Sequence, residues 1–236
     1  HGLAAEIICK PHKSFKVSKA LKTGSFLALR KKTSVSDIDV NIVELKARRK
    51  KLLIADMDST IITSESLDQL AQIAGIGCAV EAITKRSIAG EIDFSEALID
   101  RVELLAGKPS KLLEALLDQV ILTDGAVSLV QTMRANHSKC YLVSGGFDFM
   151  LSRIANLCGF HGYHGNHIVI NENVITGEIL RPVLDRKAKA EYLIKYCTHM
   201  GIDVSSTAAI GDGANDLDLL SHSGMGVAFQ GQRLLL

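Results

Sequence analysis

Three short apolar runs punctuate the chain, and each stops abruptly in polar or glycine-rich sequence. They are Leu52-Leu53-Ile54-Ala55 before Asp56, Tyr141-Leu142-Val143 before Ser144-Gly145-Gly146, and Ala208-Ala209-Ile210 before Gly211-Asp212-Gly213. Continuous apolar runs of this length suit strands buried on both faces, as in a parallel sheet. Amphipathic stretches of helical length lie between them, for example 125–136 and 187–200. The alternation predicts an α/β fold, an open parallel sheet with helices packed on it.

This expectation gives the run endings a meaning. In open α/β sheets of the Rossmann-like kind, ligands bind beyond the carboxyl ends of the strands. All three polar clusters fall there, so they are expected to converge although the first and last lie far apart in sequence. Residues 61–124, between the first two runs, read as a mostly helical insert suited to closing over such a site. Within it Phe94, Leu98, Arg101 and Leu105 recur at helical spacing, with Ala97 and Val102 beside them. That spacing puts Arg101 on an apolar stripe. From there it either snorkels outward or turns inward, and packing alone does not choose. Residues 167–180 predict a short β-hairpin turning at Asn171-Glu172-Asn173. The domain reading is therefore a core of 49–64 and 125–236, a helical cap of 65–124, and an appendage of 1–48.

Charge changes the picture only at the N-terminus. Residues 1–50 carry 12 Lys/Arg against 4 Asp/Glu, a local +8, which leaves −7 for the remainder of a chain of net charge +1. A basic arm can contact nucleic acid, but a solvated surface is the plainer reading. The sequence has no Trp and 5% aromatic residues, so it lacks the stacking platforms of single-strand binders, and no nucleic-acid partner is expected. No apolar run approaches the roughly 20 residues that cross a bilayer. The five cysteines are odd in number, scattered and without a CxxC pair, which points to reduced thiols in a cytoplasmic protein. Cys140 reads as a small core residue. His161, His164 and His167 have a spacing that suggests a metal site, but surface histidines are the favoured reading.

The candidate chemistry rests on carboxylates. Asp56 and Asp58 sit at the first strand end, Asp212 and Asp216 at the third. If those loops meet, like charges crowd one small volume and a hard divalent cation is the usual offset. Mg²⁺ suits such oxygen donors because it keeps positions for water and substrate oxygens. Ser144-Gly145-Gly146, read as the end of a strand that leads into a helix, is expected to expose backbone N–H groups and a hydroxyl at a helix N-terminus, where phosphate is favoured. Gly211-Asp212-Gly213 is not a dinucleotide fingerprint, because Asp216 occupies the place of the third glycine.

Taken in order, Asp56-Met57-Asp58-Ser59-Thr60, Ser144-Gly145-Gly146, Lys189 and Gly211-Asp212-Gly213-Ala214-Asn215-Asp216 resemble the four motifs of the haloacid-dehalogenase-type phosphatases. Glu65, Gly90–Phe94, Arg101-Val102 and Val143–Phe147 are similar to its phosphoserine phosphatase subfamily, and the resemblance covers about residues 51–230. It implies Mg²⁺-dependent hydrolysis of O-phosphoserine through an aspartyl-phosphate, the last step of serine biosynthesis. Asp56 is then the nucleophile and Asp58 the acid and base. The metal is held by Asp56, the Asp58 carbonyl and Asp212. Ser144, Gly145 and Lys189 grip the phosphoryl oxygens, and Asn215 and Asp216 support them. Arg101 takes the substrate carboxylate, Glu65 its ammonium, and Phe94 packs over it. The resemblance alone selects Lys189 over Lys187.

Three departures accompany the likeness. Ile88 stands where relatives often carry Met, a swap of similar bulk. Relatives usually continue beyond the Gly224–Phe229 region, whereas this sequence, which opens on His1, stops at Leu236. Residues 1–48 are too few for a regulatory ligand-binding domain, though they fit a remnant of one. Other readings are a related enzyme for another small phosphomonoester, and a non-catalytic binder of phospho-ligands. Neither monomer nor homodimer is singled out.

Overall fold

A computed structural model describes residues 6–9, 16–36 and 38–230, with the side chains of Ser18 and Ile88 left aside. The reading of Ile88 and that of the C-terminal ending thus lie outside the described residues. The chain divides after Arg48 into two compact units. In the first, α1 (Val17–Ala20) and α2 (Gly24–Ser34) are short, and the Thr23 hydroxyl caps α2 by accepting from the Phe26 amide. Basic Lys31 and Lys32 fall in the last turn of α2, where they oppose the negative end of the helix dipole.

The second unit is built on five parallel strands in the order β3-β2-β1-β6-β7. They are β1 (Leu52–Ala55), β2 (Lys139–Phe147), β3 (Gly162–Asn166), β6 (Thr207–Gly211) and β7 (Gly226–Ala228). Each apolar run of the sequence is therefore a strand. β1 is buried along its whole length, and its side chains alternate between the two faces. Leu53 and Ala55 join the larger core, whereas Leu52 and Ile54 join Leu184, Leu193, Cys197 and Leu219 on the other side. Helices α7 (Ala126–Ala135) and α8 (Asp148–Cys158) pack on the first face, and α9 (Arg186–Met200) and α10 (Leu217–His222) on the second.

Between β1 and β2 run four helices, α3 (Ser66–Ile73), α4 (Gly77–Ile88), α5 (Phe94–Glu103) and α6 (Lys111–Leu117). The segments leaving and rejoining the sheet pair with each other at Ile62 and Leu122, which closes the base of this helical insert. Amides of Thr63 and Thr123 bond across that junction to Ile121 and Ile61.

The hairpin forms from β4 (Ile168–Asn171) and β5 (Val174–Ile179). Glu172 and Asn173 both have positive φ, the conformation a two-residue turn needs to match the twist of its strands. The hairpin does not stand free. Gly107 donates to Ile175, Ile175 to Lys108, and Ser110 to Asn173, so β5 is stitched to the loop between α5 and α6. At Gly177 a side chain would come within 2.9 Å of Ala106 Cβ, so only glycine lets the strand lie this close. No helix among the described residues is long and apolar enough to cross a membrane.

Candidate active site

β1 delivers Asp56 to the crevice where the strand order reverses, with β2 on one side and β6 on the other. The Asp56 amide still bonds to the Ile210 carbonyl at 3.0 Å, so the ladder fixes its backbone. Its Oδ1 accepts from the Met57 amide at 2.8 Å. Its Oδ2 accepts from Lys189 Nζ at 2.8 Å and, more weakly, from Asn215 Nδ2 at 3.4 Å. Lys189 also reaches Asp216 Oδ1 at 2.7 Å, and all three residues are at most 3% exposed.

Helix geometry explains why this lysine is inside. The Asp185 side chain caps α9 by accepting from the Ala188 amide, and Lys189, Leu193 and Cys197 then recur every four residues on the buried face. Lys187 points to solvent. In the structure that stripe separates the two lysines, one buried and the other exposed.

Ligand oxygens of Asp56, Asp212 and Asp216 lie within 4.8 Å of one another, the one such acidic, histidine or cysteine group among the described residues. Thr60 holds Asp212 through a 3.1 Å hydrogen bond. Burial, then the charge of Asp56, push the carboxyls of Asp212 and Asp216 above their ordinary values. Burial alone would pull Lys189 down, but Asp56 and Asp216 outweigh it and its pKa is raised. Three carboxylates share one ammonium, a set that favours a hard divalent cation with oxygen ligands. The carbonyls tell the same story. Amides of Thr60, Ile61 and Ile62 converge on Met57, while the Asp58 carbonyl accepts no amide among the described residues.

The Asp58 carboxylate lies outside the acidic cluster. Its Oδ1 accepts from the Ser66 amide and its Oδ2 from the Ser66 hydroxyl, both at 3.0 Å, so the first residue of α3 grips it twice. Burial, then Glu65 and Asp56, hold its carboxyl well above the usual range. Ser66 was not among the residues the sequence singled out.

Ser144-Gly145-Gly146 lies where it was expected, at the end of a strand that leads into a helix: β2 runs on to Phe147 and α8 starts at Asp148. The β2–β3 ladder slips between the pairs Val143–His164 and Phe147–Asn166, so three residues of β2 face only Gly165 on β3. The segment is a bulge at the rim of the sheet, where bulges re-aim groups toward a site. It leans onto the first loop. A side chain at Gly146 would come within 2.8 Å of Met57 Cε and 3.1 Å of Asp58 Oδ2. From the insert, Phe94 closes down so far that a Cβ at Gly145 would sit 2.6 Å from its Cζ.

Arg101 resolves its two readings inward. It is half-buried, its Nε bonds to the Ala97 carbonyl at 2.9 Å, and burial lowers its pKa against the opposing charges of Asp68, Glu65 and Asp58. It forms no ion pair among the described residues. Glu65 stands at the N-cap position of α3 and accepts from Ser59 Oγ at 2.6 Å. Partial desolvation raises its carboxyl, and Asp212, Asp56 and Asp68 add to the rise. Asp68, also unmarked by the sequence, has a buried Oδ1 with no hydrogen-bond partner among the described residues. The three histidines go separate ways: His161 accepts from the Cys140 amide, His164 meets the Tyr196 hydroxyl, and His167 meets Asp148.

Comparison with known proteins fits this geometry. The model of the haloacid dehalogenase-like hydrolase family matches residues 53–221. The chain belongs to that family. Among its relatives, a phosphoserine phosphatase of Archaeoglobus fulgidus is 37% identical over 188 residues, covering 80% of this chain and 55% of that protein. One of Streptococcus thermophilus is 36% identical over 180 residues, covering 76% of this chain and 84% of the other. The chain thus spans little more than half the length of the first relative and most of the second. A phosphoserine phosphatase solved as a phospho-aspartyl intermediate analogue superposes with a TM-score of 0.74 at 32% identity, covering 80% of this chain and 90% of that one. A haloacid dehalogenase-like core with a helical insert is thus the architecture of this chain.

Proposed function

We propose that this chain hydrolyses O-phosphoserine to serine and phosphate in the cytoplasm, with Asp56 carrying the phosphoryl group between the two steps. The observation that carries the proposal is the buried Asp56 carboxylate at the tip of β1, held by Lys189 on a loop whose Met57 and Asp58 lie against Gly146. The relative trapped as a phospho-aspartyl analogue supports the same nucleophile.

Asp56 attacks phosphorus and splits one hard displacement into two easier ones. Asp58 donates a proton to the departing seryl oxygen and later takes one from the attacking water. Lys189, Ser144 and the Gly145 N–H steady the phosphoryl oxygens, and Asn215 and Asp216 keep Asp56 and Lys189 in place. Asp56, Asp212 and the Asp58 carbonyl are the groups that would hold Mg²⁺, which when bound offsets the phosphoryl and carboxylate charge. Arg101 reads the substrate carboxylate by a charge-assisted bond, while Glu65 and Asp68 offer acceptors to the ammonium. Phe94 covers the site and excludes water. All five cysteines are free thiols, in keeping with a reducing compartment.

The test compares phosphate release from phosphoserine, phosphoethanolamine and phosphoglycolate, each with Mg²⁺ and with EDTA. Losing the carboxylate or the ammonium is expected to lower kcat/KM by about tenfold to a hundredfold, since each loss leaves a buried charge unpaired. EDTA is expected to stop turnover. Equal rates on all three esters would point to another phosphomonoester as substrate.

The grip of Ser66 on Asp58 yields a further expectation. Ser66→Ala should lower kcat on phosphoserine by about tenfold, the order expected when a charged acceptor loses a hydroxyl donor. Ser66→Thr, which keeps the hydroxyl, should retain most of the rate. Steady-state kinetics on the two variants separate these outcomes.

A further inference from the structure

The bulge that carries Ser144 and Gly145 has lost its regular partners on β3, yet its geometry is tightly set. The residue that sets it is Asn166, at the end of β3 and 2% exposed. Its Nδ2 donates to the Gly145 carbonyl at 2.8 Å. The same peptide unit carries the Gly146 N–H, which donates to Ser144 Oγ at 3.1 Å. One peptide plane is therefore held at both ends, and the second hold pins the Ser144 hydroxyl oxygen. Gly165, just before Asn166, completes the fit, because a Cβ there would come within 2.9 Å of the Gly146 carbonyl and 2.6 Å of Leu151 Cδ1.

The other end of the amide faces a different element. Asn166 Oδ1 accepts from the Leu184 N–H at 2.8 Å, and Nδ2 lies 3.5 Å from the Leu184 carbonyl. This pair imitates a strand ladder with a side chain in place of a backbone. Leu184 immediately precedes Asp185, the cap of α9, and one turn later that helix delivers Lys189 to Asp56. A single buried side chain thus couples the bulge to the segment that orients the lysine. A buried amide satisfied at both donor and acceptor is costly to disturb, and it fixes what it touches.

We infer that Asn166 is a positioning residue for the phosphoryl group, aligning the Ser144–Gly146 bulge and the Lys189 helix on the same anion. The inference rests on the phosphatase reading above but concerns phosphate, not serine. It is tested with Asn166→Asp, which keeps the acceptor for Leu184 and turns an oxygen toward the Gly145 carbonyl, and with Gly165→Ala, which presses on the same bulge from its neighbour. The readouts on the full chain are the Kd for inorganic phosphate in the presence of Mg²⁺, the Kd for Mg²⁺ alone, and the melting temperature.

Both variants are expected to weaken phosphate binding by at least about tenfold, the order for a buried hydrogen bond replaced by an unpaired group. Mg²⁺ affinity should stay within about twofold, because neither substitution touches Asp56 or Asp212. Phosphate affinity unchanged in both variants would overturn the inference. So would phosphate and Mg²⁺ affinity falling together with the melting temperature, the mark of a purely structural role. If Asn166→Asp does not fold, Gly165→Ala decides by the same comparison. A parent protein that binds phosphate yet leaves phosphoserine intact would count against the substrate and not against Asn166.

Discussion

Asp56→Asn is expected to abolish phosphoserine turnover, with kcat falling by at least about 10⁴-fold, as when a covalent nucleophile is removed from a preassembled site. The amide is a far poorer nucleophile, while the groups around it stay in place. Two effects on stability oppose each other. The amide cannot accept from both the Met57 N–H and Lys189, as the carboxylate does now. Yet one negative charge leaves a pocket that also holds Asp212 and Asp216. Each effect is about 1–3 kcal/mol, so the melting temperature should move by only a few degrees. Phosphate release by the purified variant, read beside its thermal melt, checks both halves. Full activity would remove Asp56 from the mechanism.

Lys189→Met should do the reverse, damaging fold and chemistry together. The thioether fills much of the lysine stem's volume but leaves Asp56 and Asp216 buried without their cation. Breaking a buried pair in this way costs about 3–5 kcal/mol, or a fall of roughly 10 °C in melting temperature for a unit of this size. Because phosphoryl oxygens lose their ammonium as well, kcat/KM should drop by about 10²–10³-fold even where the variant is folded. The pH dependence has a definite sign. Asp216 has a raised pKa in the folded protein, so relative to the unfolded chain its ionised form is disfavoured as pH rises through that raised value. Removing the lysine raises it further, and the stability gap between variant and parent should narrow as the medium becomes acidic. Thermal melts at pH 8 and pH 5 measure this. A gap that widened in acid would contradict the assigned charges.

Much of this arrangement was legible in the sequence because parallel strands advertise themselves. β1, β2 and β6 are short, apolar and followed by polar loops, and that pattern fixed both the sheet and the place of the crevice. The hairpin was legible for a local reason, a turn of polar residues able to take positive φ. The strand-to-helix place of the Ser-Gly-Gly segment was legible too, but its bulge was not, because a slipped register belongs to two strands at once, and nothing in residues 144–146 alone records what β3 does opposite them. Ser66, Asp68 and Asn166 went unnoticed on similar grounds. Each matters for what faces it across 8 to 33 residues of chain or more, and none breaks the periodicity of its own segment. On α9, Lys189 stands at the head of the row that Leu193 and Cys197 continue, with Asp185 before it, and so short a row left the choice over Lys187 to the resemblance.

The stitching of β5 to the loop after α5 bears on how a substrate gets in. With the paired segments at Ile62 and Leu122 and the hydrogen bonds from Gly107, Ser110 and Ile175, the helical lid hangs from the sheet at two places instead of one. A lid with a single hinge swings like a door; one fastened along a second edge must carry that edge with it or tear it loose. Any opening of the lid that admits a substrate is therefore expected to involve flexing of the β-ribbon at its roots, where the Leu180 amide bonds to the His167 carbonyl.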